Sequence, residues 1–578
     1  MEADSPLKAN STKRLGAAPK TLARYYTPES VAQALTDWAV RDSSCRVLDP
    51  SFGGCSFFRA TVNALARRGV RSPARLLYGV DRDRHARDHL IPLLGQGAVS
   101  DHFVTADFLA LRPQELKGFP FGAVLGNPPY IRHHRIRGKS SLRKSFVPSN
   151  GFMLSGRASY WAYFVLHAIN FVGFGGRLAM VLPGSFLHAD YAEVVRKTVL
   201  DSFSNVTIIV VQERLFAEAE EVSVLLMAEG RGEPHRGLRI GVAESAADIA
   251  TVCKSIESRT TVVGRSENGH RWLSTLIDRD ALELYSRLTR DPRMVTLGDL
   301  AEIRIGTVTG CNDLFIISNA LRQELGLSQT FLRPIVDRAA NLPGLSFAAR
   351  DHCRLLQDGR PSLLLSIPKR AEISGPLATY LESARQRHIH TRYKCKVRSP
   401  WFCVQDGVVP DAFLHYMSSA VPHVVLNSSD ATCTNAIHRI TWKKRLSAND
   451  QEWIALSSLS TLCQLGAELN GRWYGGGVLK LEPKQARTLL LVKPPAEERL
   501  VADTFRTVDS LLRKREIQSA VGLVDEMILI NGVGLTTQDV DTLARACTFL
   551  RKLRFPPSRN LQSKIDLSRP AADSVLPR

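Results

Sequence analysis

Asn127-Pro128-Pro129-Tyr130 places a short amide and an aromatic ring on one rigid turn, directly after the apolar run Phe121 to Leu125. Two adjacent prolines fix φ and deny helix to Asn127 and Pro128. The carboxamide and the backbone carbonyls then face a cleft at a strand's C-terminal end, where open α/β sheets hold ligands. Such a turn is equipment for handling a flat nucleobase. Three further acid-bearing turns come before it in the chain. Asp49-Pro50-Ser51-Phe52-Gly53-Gly54 has small residues that let a ligand approach the backbone. Asp81, closing Tyr78-Gly79-Val80-Asp81, can accept both hydroxyls of a ribose. Asp107-Phe108 offers an acceptor for an exocyclic amine and a ring to stack on adenine. No GxxxxGK[ST] phosphate loop occurs, so the ligand described is a nucleoside without phosphates, and S-adenosylmethionine matches it.

These turns need strands to carry them. Arg46 to Asp49, Leu76 to Asp81, Phe103 to Asp107 and Phe121 to Leu125 read as strands, followed by Arg177 to Leu182 and Val206 to Val211, with helical stretches between. That alternation predicts a mostly parallel sheet covered on both faces. Val222 to Ala228 follows too closely for a crossover helix and is expected to pair antiparallel. Thr27-Pro28-Glu29 reads as a helix start with threonine as the N-cap. The expected organisation is a flexible tail over 1–20, a catalytic domain over 21–245 and a linker region over 246–296. A second domain over 297–495 and a helical extension over 496–578 complete it.

At 578 residues the chain exceeds one ordinary core, and a net charge of +20 points to a polyanionic partner. Ten cysteines without a CxxC pair argue against structural zinc and a disulfide framework, which fits a reducing cytoplasm. No metal site is expected, since His133 and His134 lack a suitably spaced carboxylate or cysteine. The longest apolar stretches are strand-length, so no membrane span is expected.

With these motifs in this order, the chain resembles the amino-methyltransferases acting on DNA, specifically the N6-adenine enzymes of restriction-modification systems with the TaqI-like layout. The resemblance is strong over roughly residues 22 to 230 and weaker from Leu297 to about Pro495. It implies a class I S-adenosylmethionine-dependent methyltransferase sheet, mostly parallel with one antiparallel strand, followed by a target-recognition domain. It implies that Thr27 closes over the methionine part of the cofactor and that Asp49, Pro50 and Gly53 form the glycine motif. Asp81 would be the ribose acid, Asp107 and Phe108 the adenine contacts, and Asn127, Pro128 and Tyr130 the catalytic motif. Leu215-Phe216 before Glu221-Val222-Ser223-Val224 resembles the family's late motif, which gives Phe216, beside Tyr130, the stacking of an extruded base. The sequence departs from the family at Cys55, where a glycine is usual.

Double-stranded DNA is the partner implied. The basic loop Arg132, Arg135, Arg137, Lys139, Arg143 and Lys144 follows the catalytic turn and is expected to hold phosphates; its plain alternative is a solvated charge run. Thr27 as a simple cap and Phe216 as a core residue are likewise open alternatives. The expectation is a monomeric enzyme of a bacterial or archaeal cytoplasm, associated with the nucleoid. Any restriction endonuclease acting with it would be a separately encoded chain. N4-cytosine, ribosomal RNA or protein-glutamine methylation, and a catalytically decayed specificity subunit, are the competing readings.

Overall fold

A computed structural model describes residues 26–95, 101–131, 136, 154–216, 221–263, 272–404, 408–495 and 501–555. The expected tail over 1–20 and all six basic-loop residues, Arg132, Arg135, Arg137, Lys139, Arg143 and Lys144, lie outside the described residues.

Five strands rise in sequence: β1 (Val47–Asp49), β2 (Leu77–Asp81), β3 (Phe103–Thr105), β4 (Phe121–Gly126) and β5 (Val172–Pro183). β1 pairs parallel with both β2 and β4, β2 with β3, and β4 with β5. Val47, Leu48, Val80, Val124 and Leu125 are fully buried. Such near-continuous apolar runs are what a parallel sheet covered on both faces requires. β6 (Phe203–Val211), β7 (Ser223–Arg231), β8 (Gly237–Ala243) and β9 (Thr260–Val263) extend the sheet to the order β3-β2-β1-β4-β5-β7-β6-β8-β9. The strand after the short connection is therefore inserted between β5 and β6, and β8 and β9 pair antiparallel.

Helix α1 (Glu29–Ala39) packs its Val31 and Leu35 face inward against α2 (Ser56–Ala66). Its N-cap is Pro28, not Thr27: the amides of Val31 and Ala32 donate to the Pro28 carbonyl at 3.1 and 3.0 Å. Proline fits there because its own missing N–H is not needed at a helix start. Thr27 thus stands one residue outside the helix, buried.

The chain divides into two compact units. One comprises Met1–Leu182, Lys197–Val206 and Leu226–Arg236; the other comprises Pro183–Arg196, Thr207–Leu225 and Gly237–Arg578. Within 246–296, expected as a linker region, the described residues carry β9 and the helix Arg279–Leu288. Trp272, fully buried, explains why Pro183–Arg196 groups with this second unit. Its amide donates to the Leu187 carbonyl at 3.0 Å, its ring meets Phe186 edge-on at 5.5 Å, and the buried Arg196 guanidinium lies 5.8 Å from its ring centre.

Beyond it, the second unit abandons the βα rhythm for small sheets. One contains five strands, with Ala301–Ile305 antiparallel to Ile437–Trp442. A separate core gathers Phe315, Ile335, Leu364, Leu365 and Ile389. Helices Ala502–Arg513, Ile517–Val524 and Thr537–Arg554 close the described chain. Arg554 in the last of them is buried against Glu468, donating Nε at 3.0 Å and Nη2 at 2.8 Å. Fork geometry of this kind is what makes a buried ion pair tolerable.

Candidate functional site

Four successive strands of the first unit end in the residues that line one cavity. β1 ends at Asp49, β2 at Asp81, β3 leads into Asp107, and β4 leads into Asn127. Parallel strands with their carboxyl ends on one edge bring these sequence-distant turns together. Thr27, Asp49, Pro50, Gly53, Asp81, Asp107, Phe108, Asn127 and Pro128 all line the cavity.

Each acid is held by backbone amides. Asp81 Oδ2 accepts from the Gly53 amide at 2.8 Å and its Oδ1 from the Asp83 amide at 2.8 Å. The glycine turn and the acid of the next strand are thereby fixed as one piece. Asp107 Oδ1 accepts from the Leu109 amide at 3.1 Å, so this acid caps the short helical turn Phe108–Ala110 while facing the cavity. Capping that turn thus leaves Asp107 among the residues that line the cavity. Asp49 is 1% exposed, and its Oδ1 accepts from the Ser51 amide at 3.0 Å. Burial pushes its carboxyl up to about 8; the Ser51 amide pulls it down, and the Asp81 charge adds to the rise.

The turn after β4 is braced from two sides. Ser51 Oγ donates to the Asn127 carbonyl at 3.1 Å, tying it to the glycine turn. Tyr130 reaches the other way, its hydroxyl donating to the Val181 carbonyl of β5 at 3.0 Å. Phe108 is buried, its ring centre 4.9 Å from Phe164 and 4.8 Å from Phe171. Phe216 belongs to the other unit and is buried there at 5% exposure.

Cys55, at the family's usual glycine, caps α2 with φ 63° and ψ 22°, the left-handed region that favours glycine. Its side chain is fully buried, and burial, helped by the Asp49 charge, pushes the thiol up to about 12, so it stays protonated.

Two residues were not anticipated as site residues. Tyr160 starts the helix Tyr160–Ala168, lines the cavity and donates its hydroxyl to Asp107 Oδ1 at 3.0 Å. Phe164, one turn later, also lines it. The aromatic content of residues 159–172 was the available signal. Only the fold shows that this helix returns to the cavity: the Tyr160 amide donates to the Ile131 carbonyl, just past the turn Asn127 to Tyr130, at 3.0 Å.

Three aspartates, aromatic walls and clustered backbone amides suit a ligand that brings hydroxyls and an amine. They do not suit a phosphate. Among the described residues no group of three or more histidines, cysteines or acids is placed to hold a metal ion. No helix among them is long and apolar enough to cross a membrane.

Comparisons with known proteins agree with this fold. Residues 15–244 match the family model of N-6 DNA methylases, and residues 269–529 match that of the C-terminal domain of Type II methyltransferase M.Eco57I. Type II methyltransferase M.XamI of Xanthomonas campestris pv. amaranthicola is 25% identical over 485 residues, covering 80% of this chain and 84% of that protein. M.AccI of Acinetobacter calcoaceticus is 20% identical over 472 residues, with the same two coverages. Among solved structures, the Type IIL restriction-modification enzyme MmeI in complex with DNA shares the fold at TM-score 0.52. It is 11% identical, over 88% of this chain and 73% of that one. The sheet is that of the class I S-adenosylmethionine-dependent methyltransferases. The chain thus joins an N-6 DNA methylase domain over 15–244 to a domain matching the C-terminal domain of Type II methyltransferase M.Eco57I over 269–529, the make-up of a DNA methyltransferase of restriction-modification type.

Proposed function

We propose that the chain is a site-specific DNA adenine methyltransferase, acting on N6 of an adenine flipped out of duplex DNA. The observation that carries this reading is the convergence of Asn127 and Pro128 with Asp49, Asp81 and Asp107 on one cavity. S-adenosylmethionine, when bound, supplies an activated methyl group. The cavity fits it in kind: Asp81 would take the ribose hydroxyls and Asp107 the adenine amine. Thr27 and the Asp49-to-Gly53 turn would hold the remainder.

Adenine N6 is a poor nucleophile because its lone pair is delocalised into the ring. Hydrogen bonds donated by that amine to Asn127 Oδ1 and the Pro128 carbonyl would favour a tetrahedral nitrogen aimed at the methyl. The brace from Ser51 to the Asn127 carbonyl keeps these acceptors in place. Because N6 lies inside a duplex, the base must leave the stack, and Tyr130 would replace its lost stacking. Phe216 is proposed as its partner, which requires this buried ring to become accessible when the base enters.

Residues 297–495 are the proposed target-recognition domain, following a catalytic domain over 21–245, and the extension beyond 496 supports it. The basic loop from Arg132 to Lys144 is proposed to hold phosphates. A monomer protecting host DNA from a separately encoded endonuclease is the biological setting this reading implies. The test is incubation with isotope-labelled S-adenosylmethionine and mixed-sequence duplex DNA, followed by nucleoside analysis. Labelled N6-methyladenine that disappears in Asn127→Ala supports the reading. Label in cytosine, RNA or protein, or none despite cofactor binding, overturns it.

A further inference from the structure

A second concavity, of about 760 Å³, lies wholly within the second unit. Arg304, Arg398, Arg439 and Arg487 line it, and no carboxylate is among its described lining residues. Arg304 and Arg439 are directly opposite each other on paired strands, and Arg304 leans on Glu302 at 2.7 Å. The other walls are small or aliphatic, with Ile305 40% exposed at the rim.

Arg398 and Arg487 decide what this cleft is for. Arg398 donates to the carbonyls of Thr309, at 2.6 Å, and Val308. Arg487 donates to the Ile303 carbonyl at 3.4 Å. These partners are neutral, so each guanidinium keeps its full charge while losing freedom to move. A guanidinium has five N–H donors, and these bonds leave several of them to spare. Arginines used only to stiffen loops need no such gathering in one concavity; arginines pre-positioned for phosphate do.

The chain leading into the cleft continues the pattern. Arg392, Lys394, Lys396 and Arg398 alternate with Tyr393, the buried Cys395 and Val397; Tyr393 and Val397 are 74% and 64% exposed. Basic side chains interleaved with exposed apolar and aromatic ones are a surface for the sugar-phosphate backbone. We propose that this arginine cleft, with its basic lip from Arg392 to Lys396, grips the phosphate backbone of the DNA substrate. It is distinct from the basic loop near the catalytic turn. The proposal rests on DNA being the substrate and adds a phosphate-binding site within the second unit.

The test measures affinity of the full-length protein for a 30-base-pair duplex across a salt series. Variants are Arg487→Ala, Arg487→Lys and Lys394→Ala/Lys396→Ala. Each phosphate contact contributes about 0.9 to the slope of log K against log salt. Arg487→Ala is expected to lower the slope by about that amount and the double variant by about twice it, uniformly across DNA sequences. Arg487→Lys is expected to restore it. S-adenosylmethionine binding and the melting temperature should stay at the parent values, which separates contact loss from misfolding. An unchanged slope in both alanine variants overturns the proposal. So does a changed methylation sequence at unchanged slope, which would make these residues base readers. If the parent protein shows the slopes but methylates no adenine, the cleft stands and the catalytic reading falls.

Discussion

The hydroxyl of Tyr160 donates to Asp107 Oδ1 at 3.0 Å, joining a helix of the cavity wall to the acid that follows β3. The same Oδ1 also accepts from the Leu109 amide at 3.1 Å, so the carboxylate's rotation is fixed from both sides. Burial, reinforced by the Asp107 charge, raises the Tyr160 phenol, which therefore remains a donor at all working pH values. Tyr160→Phe keeps the ring and removes the donor. Hydrogen bonds to charged groups contribute about 1.5–3 kcal/mol, so S-adenosylmethionine binding should weaken roughly ten-fold or more. Calorimetric titration checks this; unchanged affinity would mean that Asp107 needs no such clamp.

Asp49 makes stability depend on pH. Its carboxyl sits near 8 when folded against an ordinary 3.8, so the folded state holds a proton that the unfolded chain releases. The resulting stabilisation is fully present below about pH 4 and is lost as pH rises through about 8. The cofactor-free melting temperature should therefore fall across that window from this group. Asp49→Asn should flatten the dependence, as followed by thermal unfolding at stepped pH; an equally steep Asn variant would assign the dependence elsewhere.

Cys55 occupies backbone that glycine prefers, at φ 63°. Cys55→Gly relieves strain of about 1–2 kcal/mol but gives up a buried side chain, so the melting temperature should move little. Cys55→Val puts a β-branched residue into the same conformation and should destabilise by more than about 2 kcal/mol. Comparing the two melting curves with the parent's is the measurement, and equal tolerance of both substitutions would contradict it.

Tyr130 separates ring from hydroxyl. Tyr130→Phe loses the hydroxyl's bond to the Val181 carbonyl and should cost about 1 kcal/mol of stability while retaining most methyl transfer. Tyr130→Ala removes the surface on which the base is proposed to stack, worth about 1–3 kcal/mol, and should raise KM for DNA ten-fold or more. Steady-state kinetics on duplex DNA distinguish them.

Local signals made the parallel sheet and its strand-end acids legible. Asp49, Asp81, Asp107 and Asn127 each follow an apolar run, and parallel pairing must bring such ends to one edge. Thr27 was assigned one position wrongly as a cap, because proline and threonine both suit helix starts and only backbone geometry separates them. Tyr160 was illegible as a site residue because its role depends on where a later helix returns, which no local periodicity encodes. Trp272 was hidden for a similar reason: its neighbours Phe186 and Arg196 lie far off in sequence. The second unit's short strands gave no rhythm to read, so its arginine cleft emerged only from cross-strand register and loop carbonyls.

Trp272 also sets a rule for anyone exchanging specificity between related enzymes. The chain passes between its two compact units five times, and the segment carrying Phe186 and Arg196 precedes the one carrying Trp272 by dozens of residues. A graft joined anywhere in 197–271 would therefore pair one parent's socket with the other parent's plug. Recombination that exchanges Pro183–Arg196 together with Trp272, or leaves both untouched, preserves the match; a single crossover between them does not.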